Sequence, residues 1–221
     1  MTPPLSNHRV VAIDGPAASG KSSVARGLAR RLGWLYVNTG AMYRAVTWFV
    51  LKKNVSPADA DAILALLDNA NLAFGVHDSE SSVSIGGVDP TPWLRDENVN
   101  GAVSAVSAIP GVRDILVAAQ RDYASLSDLV MEGRDIGSVV FPETPFKFYI
   151  DASPGVRARR RALQGLRDEI AARDRTDSTR RASPLIIADD AHIIDSSNLT
   201  IDGVIGEAIG LLKLQGLQIP D

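Results

Sequence analysis

A glycine-rich segment carries the clearest chemical signal in the chain. Residues 15–23 read GPAASGKSS and follow the apolar run VVAI at residues 10–13. The spacing G-x-x-x-x-G-K-S between a strand and a helix is typical of a phosphate-binding loop. Its glycines let backbone N–H groups turn inward around a polyphosphate, and the next helix adds the positive end of its dipole.

Two side chains of this loop have separate chemical roles. Lys21 can reach the β- and γ-phosphates, and the Ser22 hydroxyl can bind Mg²⁺. A glycine-rich turn that binds nothing is the alternative, but a Lys and a Ser at these offsets favour a nucleoside-triphosphate site. The residues expected to bind the triphosphate are Gly15, Pro16, Ala17, Ala18, Ser19, Gly20, Lys21, Ser22 and Ser23.

The composition limits the remaining function classes. A length of 221 residues, 45% of them apolar, suits one α/β domain with insertions and a sizeable core. Cysteine is absent, which excludes disulfides and thiolate metal sites, and the three histidines are scattered. A net charge of −3 gives no bulk reason to expect nucleic-acid binding. No segment resembles a signal peptide or a membrane span, so we expect a soluble, cytoplasmic protein.

The positive charge is carried mainly by arginine. Of 23 basic residues, 18 are arginines, whose forked guanidinium groups match phosphate oxygens bidentately. A genomic bias towards arginine is the alternative explanation. Residues 157–181 hold nine arginines and four acids. A solvated helix face or an RNA-binding stretch would also fit, but the interleaved acids and missing aromatics favour arginines that close over a phosphate-transfer site.

Alternating strands and helices are predicted to position these groups. A strand at 10–13, a helix at 23–32 and a strand at 34–37 form a right-handed parallel unit. Ligands of such sheets lie at the carboxyl ends of the strands, where Thr39 and Arg44 follow. A solvated helix position is the alternative for Arg44. Arg134 and Asp135 follow another strand on a glycine-rich turn. Further strands are predicted at 72–76, 83–85, 129–131, 146–150 and 192–195. Further helices are predicted at 97–108, 112–123 and 202–214. One more helix is expected to end near residue 53, and another to start at residue 153.

One part of the chain departs from this alternation. Residues 72–94 contain alternating apolar residues and a Gly86-Gly87 turn, which predicts a small antiparallel insert. Before it, Ser56 and Pro57 are expected to cap and start a helix.

Over nearly its whole length the chain resembles bacterial cytidylate kinases. The matching segments are IDGPAASGKSS, NTGAMYR, LRDENV, VSAVSAIPGVR, EGRDIGSVVFP, RARRR, ARDRTDSTRRASPL and IIDSSNLTIDGVI. GRDIGSVVFP with the later RD-x-x-D-x-x-R is more discriminating than the phosphate-binding loop, which many families share. The resemblance implies an α/β, P-loop NTPase-type three-layer fold with a five-stranded parallel sheet, a monophosphate-binding insert with a small antiparallel sheet, and a short lid.

The resemblance also implies an organisation and an activity. It implies one kinase domain over residues 1–221, with a core at 8–40, 124–158 and 190–216, an insert at 41–123 and a lid at 159–185. The implied reaction transfers the γ-phosphoryl group of ATP to CMP or dCMP in pyrimidine nucleotide metabolism, with Mg²⁺ on Ser22. We expect a monomer that binds nucleotides and neither nucleic acid nor membranes.

Site residues are carried over position by position. The implied catalytic residues are Lys21, Arg134, Arg173 and Arg180. Around the monophosphate the resemblance places Thr39, Arg44, Ser104, Arg113, Arg134, Asp135, Arg173, Asp177 and Arg180. On the ATP side it adds Arg157 and Arg161 of the RARRR helix.

Two alternatives stay open at this point. One is a kinase of another nucleotide or of a small metabolite such as shikimate. The other is a nucleotide-dependent switch or binding module without catalysis. A GTPase would need an N-K-x-D guanine reader, and no Asn-Lys pair occurs in the chain.

Overall fold

The computed structural model describes residues 8–163 and 185–219, which contain one seven-stranded sheet in the order β3-β4-β2-β5-β1-β6-β7. The strands are β1 Val10–Asp14, β2 Leu35–Asn38, β3 Leu72–His77, β4 Glu80–Ile85, β5 Leu129–Gly133, β6 Phe146–Asp151 and β7 His192–Asp195. The helices in these residues are α1 Lys21–Leu32, α2 Thr39–Lys52, α3 Ala60–Asp68, α4 Glu97–Ser107, α5 Pro110–Asp122, α6 Pro154–Leu163 and α7 Ile201–Leu214. The five strands β2-β5-β1-β6-β7 are parallel.

Helices cover both faces of the parallel strands, which gives three layers. Val11 and Ile13 of β1 pack with apolar residues of α1 and α7 on one face. Val10 and Ala12, which point the other way because side chains alternate along a strand, pack with α2, α3 and α5. All of β1 is therefore buried, which is typical of a central strand in a parallel sheet.

The predicted antiparallel insert is a hairpin that extends the main sheet. β3 and β4 pair from Leu72 with Ile85 to His77 with Glu80. β4 then pairs in parallel with β2 at Tyr36 and Glu80, so the predicted small antiparallel sheet forms one edge of a seven-stranded sheet that continues from the five parallel strands. The apolar alternation predicts the pairing within the hairpin, but it does not say that the open edge of β2 would accept β4.

Helix ends were predicted with mixed success. α1 ends at Gly33 in the left-handed conformation, as predicted, with φ of 69°. The predicted start of α3 at Ser56 was wrong: the helix begins at Ala60, and the Asp59 carboxylate accepts a 3.0 Å hydrogen bond from Ala62 N. α5 begins at Pro110, two residues earlier than predicted, because proline suits the first helical position, whose N–H is unpaired anyway.

No single helix in residues 8–163 and 185–219 is long and apolar enough to cross a membrane. The consecutive helical segments Glu97–Ser107 and Pro110–Ser125 together have the length and composition of a membrane span, but the chain bends by 97° between them.

Candidate active site

A pocket lies where the carboxyl ends of β2 and β5 meet the starts of α1 and α2, and α4 and α5 close its far side. It contains about 610 Å³ of space, part of it open to solvent. Eight of the predicted site residues line it together: Lys21, Ser22, Thr39, Arg44, Ser104, Arg113, Arg134 and Asp135. Two residues of the loop and six of the residues predicted around a monophosphate therefore share one cleft.

The glycine-rich loop has the tight shape that its sequence predicts. A Cβ on Gly15 would lie 2.1 Å from the Ile150 carbonyl oxygen, so no side chain fits there. Gly20, directly before α1, has φ of 93°, which glycine adopts without a steric penalty. Both ends of the turn thus depend on glycine.

Cationic side chains bind the carbonyl groups of this loop. Lys21 Nζ donates to Pro16 O at 3.2 Å, and Arg134 Nη1 donates to Gly15 O at 2.7 Å. From α6, Arg157 Nη1 donates to Ala17 O at 3.2 Å. Three of the cations predicted from the sequence are thereby gathered around the loop.

Ser22 lies beside a buried carboxylate. Its hydroxyl donates to Glu132 Oε1 at 2.8 Å, and Glu132 is only 3% exposed. The Tyr36 hydroxyl approaches the same oxygen at 3.5 Å, and burial raises the pKa of this phenol, which keeps it protonated. Thr39 Oγ1 donates to the Glu132 backbone carbonyl at 2.8 Å. A hydroxyl and a carboxylate side by side are hard oxygen ligands of the kind that Mg²⁺ prefers.

In the same pocket, Arg113 and Asp135 form a buried ion pair. Arg113 Nη2 donates to Asp135 Oδ2, and both side chains are almost inaccessible to solvent. The guanidinium also lies over the Tyr43 ring, 5.5 Å from its centre. Because burying two charges is costly, such a pair is weak evidence for stability alone.

The turn after Asp135 is fixed to the end of β1. Asp14 accepts hydrogen bonds from Ile136 N and Gly137 N, both at 2.8 Å, at the start of the π-helical turn Ile136–Val140. Burial raises the pKa of the Asp14 carboxyl to about 7, although both backbone donors and Lys21 act in the opposite direction. The segment that carries Arg134 and Asp135 is therefore held against the strand that leads into the loop.

The sequence is similar to known proteins along almost its whole length. The family model described as cytidylate kinase matches residues 11–214. A cytidylate kinase of Mycobacterium avium is 46% identical, with 95% of this chain and 97% of that protein covered. Those of Nocardia farcinica and Streptococcus pneumoniae are 47% and 44% identical, covering 90% and 88% of this chain and 90% and 93% of theirs.

The chain belongs to the cytidylate kinase family. This membership confirms the resemblance found in the sequence. The three-layer architecture with five parallel strands agrees with the P-loop NTPase-type fold expected of the family.

Some residues predicted from the family pattern do not line the pocket. Arg157 contacts the loop from outside it, at Ala17, and Arg161 lies half-buried one turn later on α6. Arg173, Asp177 and Arg180 lie outside the described residues, as does most of the predicted lid at 159–185.

Other residues at this cytidylate kinase site were missed by sequence reasoning. Glu132 could have been found, since it is the last residue but one of β5, beside the strand that leads into the loop. Tyr43 and Ser107 line the pocket without any local signal beyond helical spacing. The sequence predicts only a glycine-rich turn at Gly133, yet a Cβ there would lie 2.7 Å from Thr39 Oγ1.

Proposed function

We propose that this chain transfers the γ-phosphoryl group of ATP to CMP or dCMP, which yields ADP and CDP or dCDP. One observation carries the proposal: Lys21 and Ser22 of the phosphate-binding loop line the same pocket as the buried Arg113–Asp135 pair. The membership of the cytidylate kinase family supports it. A phosphate-binding loop alone would indicate only a triphosphate site. A second group of polar residues in the same pocket indicates a site for the molecule that accepts the phosphoryl group.

The donor half consists of the loop and its cations. Backbone N–H groups of residues 15–23 and Lys21 would bind the ATP phosphates, with Arg157 and Arg161 approaching from α6. Ser22 and Glu132 would hold Mg²⁺, directly or through water. An ion held there would supply positive charge that offsets the negative charge of the ATP phosphates.

The acceptor half consists of residues from α2, α4, α5 and the turn after β5. We assign Thr39, Arg44 and Arg134 to the phosphate of the monophosphate. Together with Lys21 and Arg180 of the predicted lid, Arg134 would neutralise the phosphoryl group in transfer. Asp177 and Arg173 are proposed for the ribose.

The reaction needs alignment rather than a general base. An anionic oxygen of the CMP phosphate attacks the γ-phosphorus, and the bond from that phosphorus to the β,γ-bridging oxygen breaks. ADP leaves with the bridging oxygen, so no proton has to move. The acceptor phosphate has a second pKa of about 6 and is largely ionised at neutral pH. Catalysis is then positioning and neutralisation of charge by Lys21 and the arginines.

Base choice follows from the polar edge of cytosine. Cytosine has an amino donor at position 4 and acceptors at N3 and O2. We propose that Asp135 accepts from the amino group while Arg113 and Ser104 donate to the acceptors. Uracil has a carbonyl oxygen at position 4, which would face the Asp135 carboxylate and leave buried polar groups unpaired.

A coupled assay of ADP release across acceptors tests the function. We expect kcat/KM for CMP and dCMP to exceed that for UMP by about 10²-fold or more, with AMP, GMP and shikimate lower still. Preference for any of the latter three would overturn the acceptor assignment. ADP release with none of the monophosphates would favour the binding-module alternative. The cytoplasmic location and the monomeric state stay predictions from the sequence.

A further inference from the structure

Two side chains outside the pocket converge on one carbonyl of the phosphate-binding loop. Ser196, which follows β7, donates from Oγ to Ser19 O at 2.7 Å. Arg160 of α6 donates from Nη1 to the same carbonyl at 3.1 Å. Neither Arg160 nor Ser196 was predicted from the sequence, and neither lines the pocket.

Further hydrogen bonds between Arg160 and Ser196 complete a small network around Ser19 O. Arg160 Nη1 also donates to Ser196 Oγ at 2.9 Å, and Nη2 donates to Ser196 O at 2.7 Å. Since a guanidinium only donates, the single Ser196 hydroxyl proton is left for Ser19 O, and the pattern has one consistent assignment. Ser196 is 3% exposed, so the network is shielded from water.

Because the peptide bond is planar, the hydrogen bonds that hold Ser19 O also fix the direction of the Gly20 N–H. The bond between Ser19 and Gly20 is trans, so the Gly20 N–H points away from the side on which Ser19 O is held. Gly20 directly precedes α1, where free N–H groups bind anions. A glycine gives the chain wide conformational freedom, and an external anchor on its peptide plane restricts that freedom.

We propose that Arg160 and Ser196 are positioning residues that hold the Gly20 N–H in place for the triphosphate of the donor. The inference rests on the proposed function, because it assigns the loop to ATP. It differs from the role proposed for Arg157 and Arg161: Arg160 acts on the loop backbone and not on the nucleotide. Its guanidinium is already hydrogen-bonded to Ser19 O and to both oxygens of Ser196.

The test compares Ser196→Ala and Arg160→Ala with Arg31→Ala, which changes an exposed arginine in the last turn of α1. Steady-state KM is measured for ATP and CMP, and calorimetry gives the affinity for inorganic tripolyphosphate, which can contact the loop but has no base. We expect Ser196→Ala and Arg160→Ala to raise KM for ATP about tenfold, the size of one hydrogen bond of about 1.4 kcal/mol. Tripolyphosphate affinity should fall by the same factor, with KM for CMP within twofold of wild type. Arg31→Ala should match wild type.

A double variant and a conservative variant distinguish a positioning role from a general loss of stability. The Arg160→Ala, Ser196→Ala double variant should lose little more than either single variant, because both act on one carbonyl. Ser196→Thr, which keeps the hydroxyl, should recover most of the tripolyphosphate affinity lost in Ser196→Ala.

Three results would overturn the inference. The first is an unchanged KM for ATP in both folded single variants, and the second is an equal rise in KM for CMP. The third is full additivity in the double variant. Because tripolyphosphate binding needs no acceptor, a wrong acceptor assignment would leave this test intact.

Discussion

Replacing Lys21 by alanine is expected to lower kcat by about 10²- to 10³-fold, the usual loss when one preorganised charge donor is removed from a transition state. Lys21 is 8% exposed, and its Nζ donates to Pro16 O beside the mouth of the pocket. A charge so shielded from water interacts strongly with the phosphoryl group in transfer. The measurement is the initial rate of ADP release at saturating ATP and CMP.

The control for this variant is Lys213→Ala, an exposed lysine in the last turn of α7. It removes the same charge far from the pocket, so kcat should stay within twofold of wild type. Near-normal turnover in folded Lys21→Ala protein would contradict the assignment of the loop as the donor site.

Replacing Asp135 by asparagine is expected to lower the ratio of kcat/KM for CMP to that for UMP by about 10²-fold. A hydrogen bond to a buried charged group contributes about 1.5–3 kcal/mol, and the asparagine amide can turn its NH₂ towards the uracil carbonyl. The negative charge proposed to reject uracil is lost, and the acceptor proposed for the cytosine amino group becomes an uncharged, weaker amide oxygen. Competition between the two monophosphates in one reaction gives the ratio directly.

This ratio is robust to the destabilisation that the variant brings. Asp135 also pairs with Arg113, and removal of one partner of a buried ion pair typically costs about 3–5 kcal/mol of stability. Both monophosphates compete for the same folded enzyme, so a loss of folded enzyme lowers both rates equally and cancels in the ratio. Asp114→Asn, at an exposed position next to Arg113, is the matched control and should keep the wild-type ratio. An unchanged ratio in Asp135→Asn would show that Asp135 does not read the base.

The donor loop could be predicted because its constraints are local. The positive φ of Gly20 is a requirement of the backbone itself, and it leaves a glycine directly before Lys21 in the sequence. The parallel strands were predictable for a similar reason, since buried strands are continuous apolar runs. Sequence reasoning failed where a contact depends on tertiary placement, as in the pairing of β4 with β2.

The acceptor pocket could be predicted only in part. Arg134 and Asp135 follow a strand and were found by that rule, whereas Ser104 and Arg113 came from the family resemblance alone. Nothing near Arg113 in the sequence indicates that it is buried, because its partner Asp135 is 22 residues away. Arg160 and Ser196 are 36 residues apart and have no signal outside the folded structure.

The central claim is that the loop and the Arg113–Asp135 pocket are two halves of one site. It is tested most directly by calorimetric titration with a bisubstrate compound, adenosine and cytidine joined through their 5′ oxygens by five phosphates. We predict binding of one compound per chain, displaced by ATP and by CMP alike, and weakened in both Lys21→Ala and Asp135→Asn. Displacement by only one of the two nucleotides would contradict the claim, because each nucleotide would then occupy a separate site.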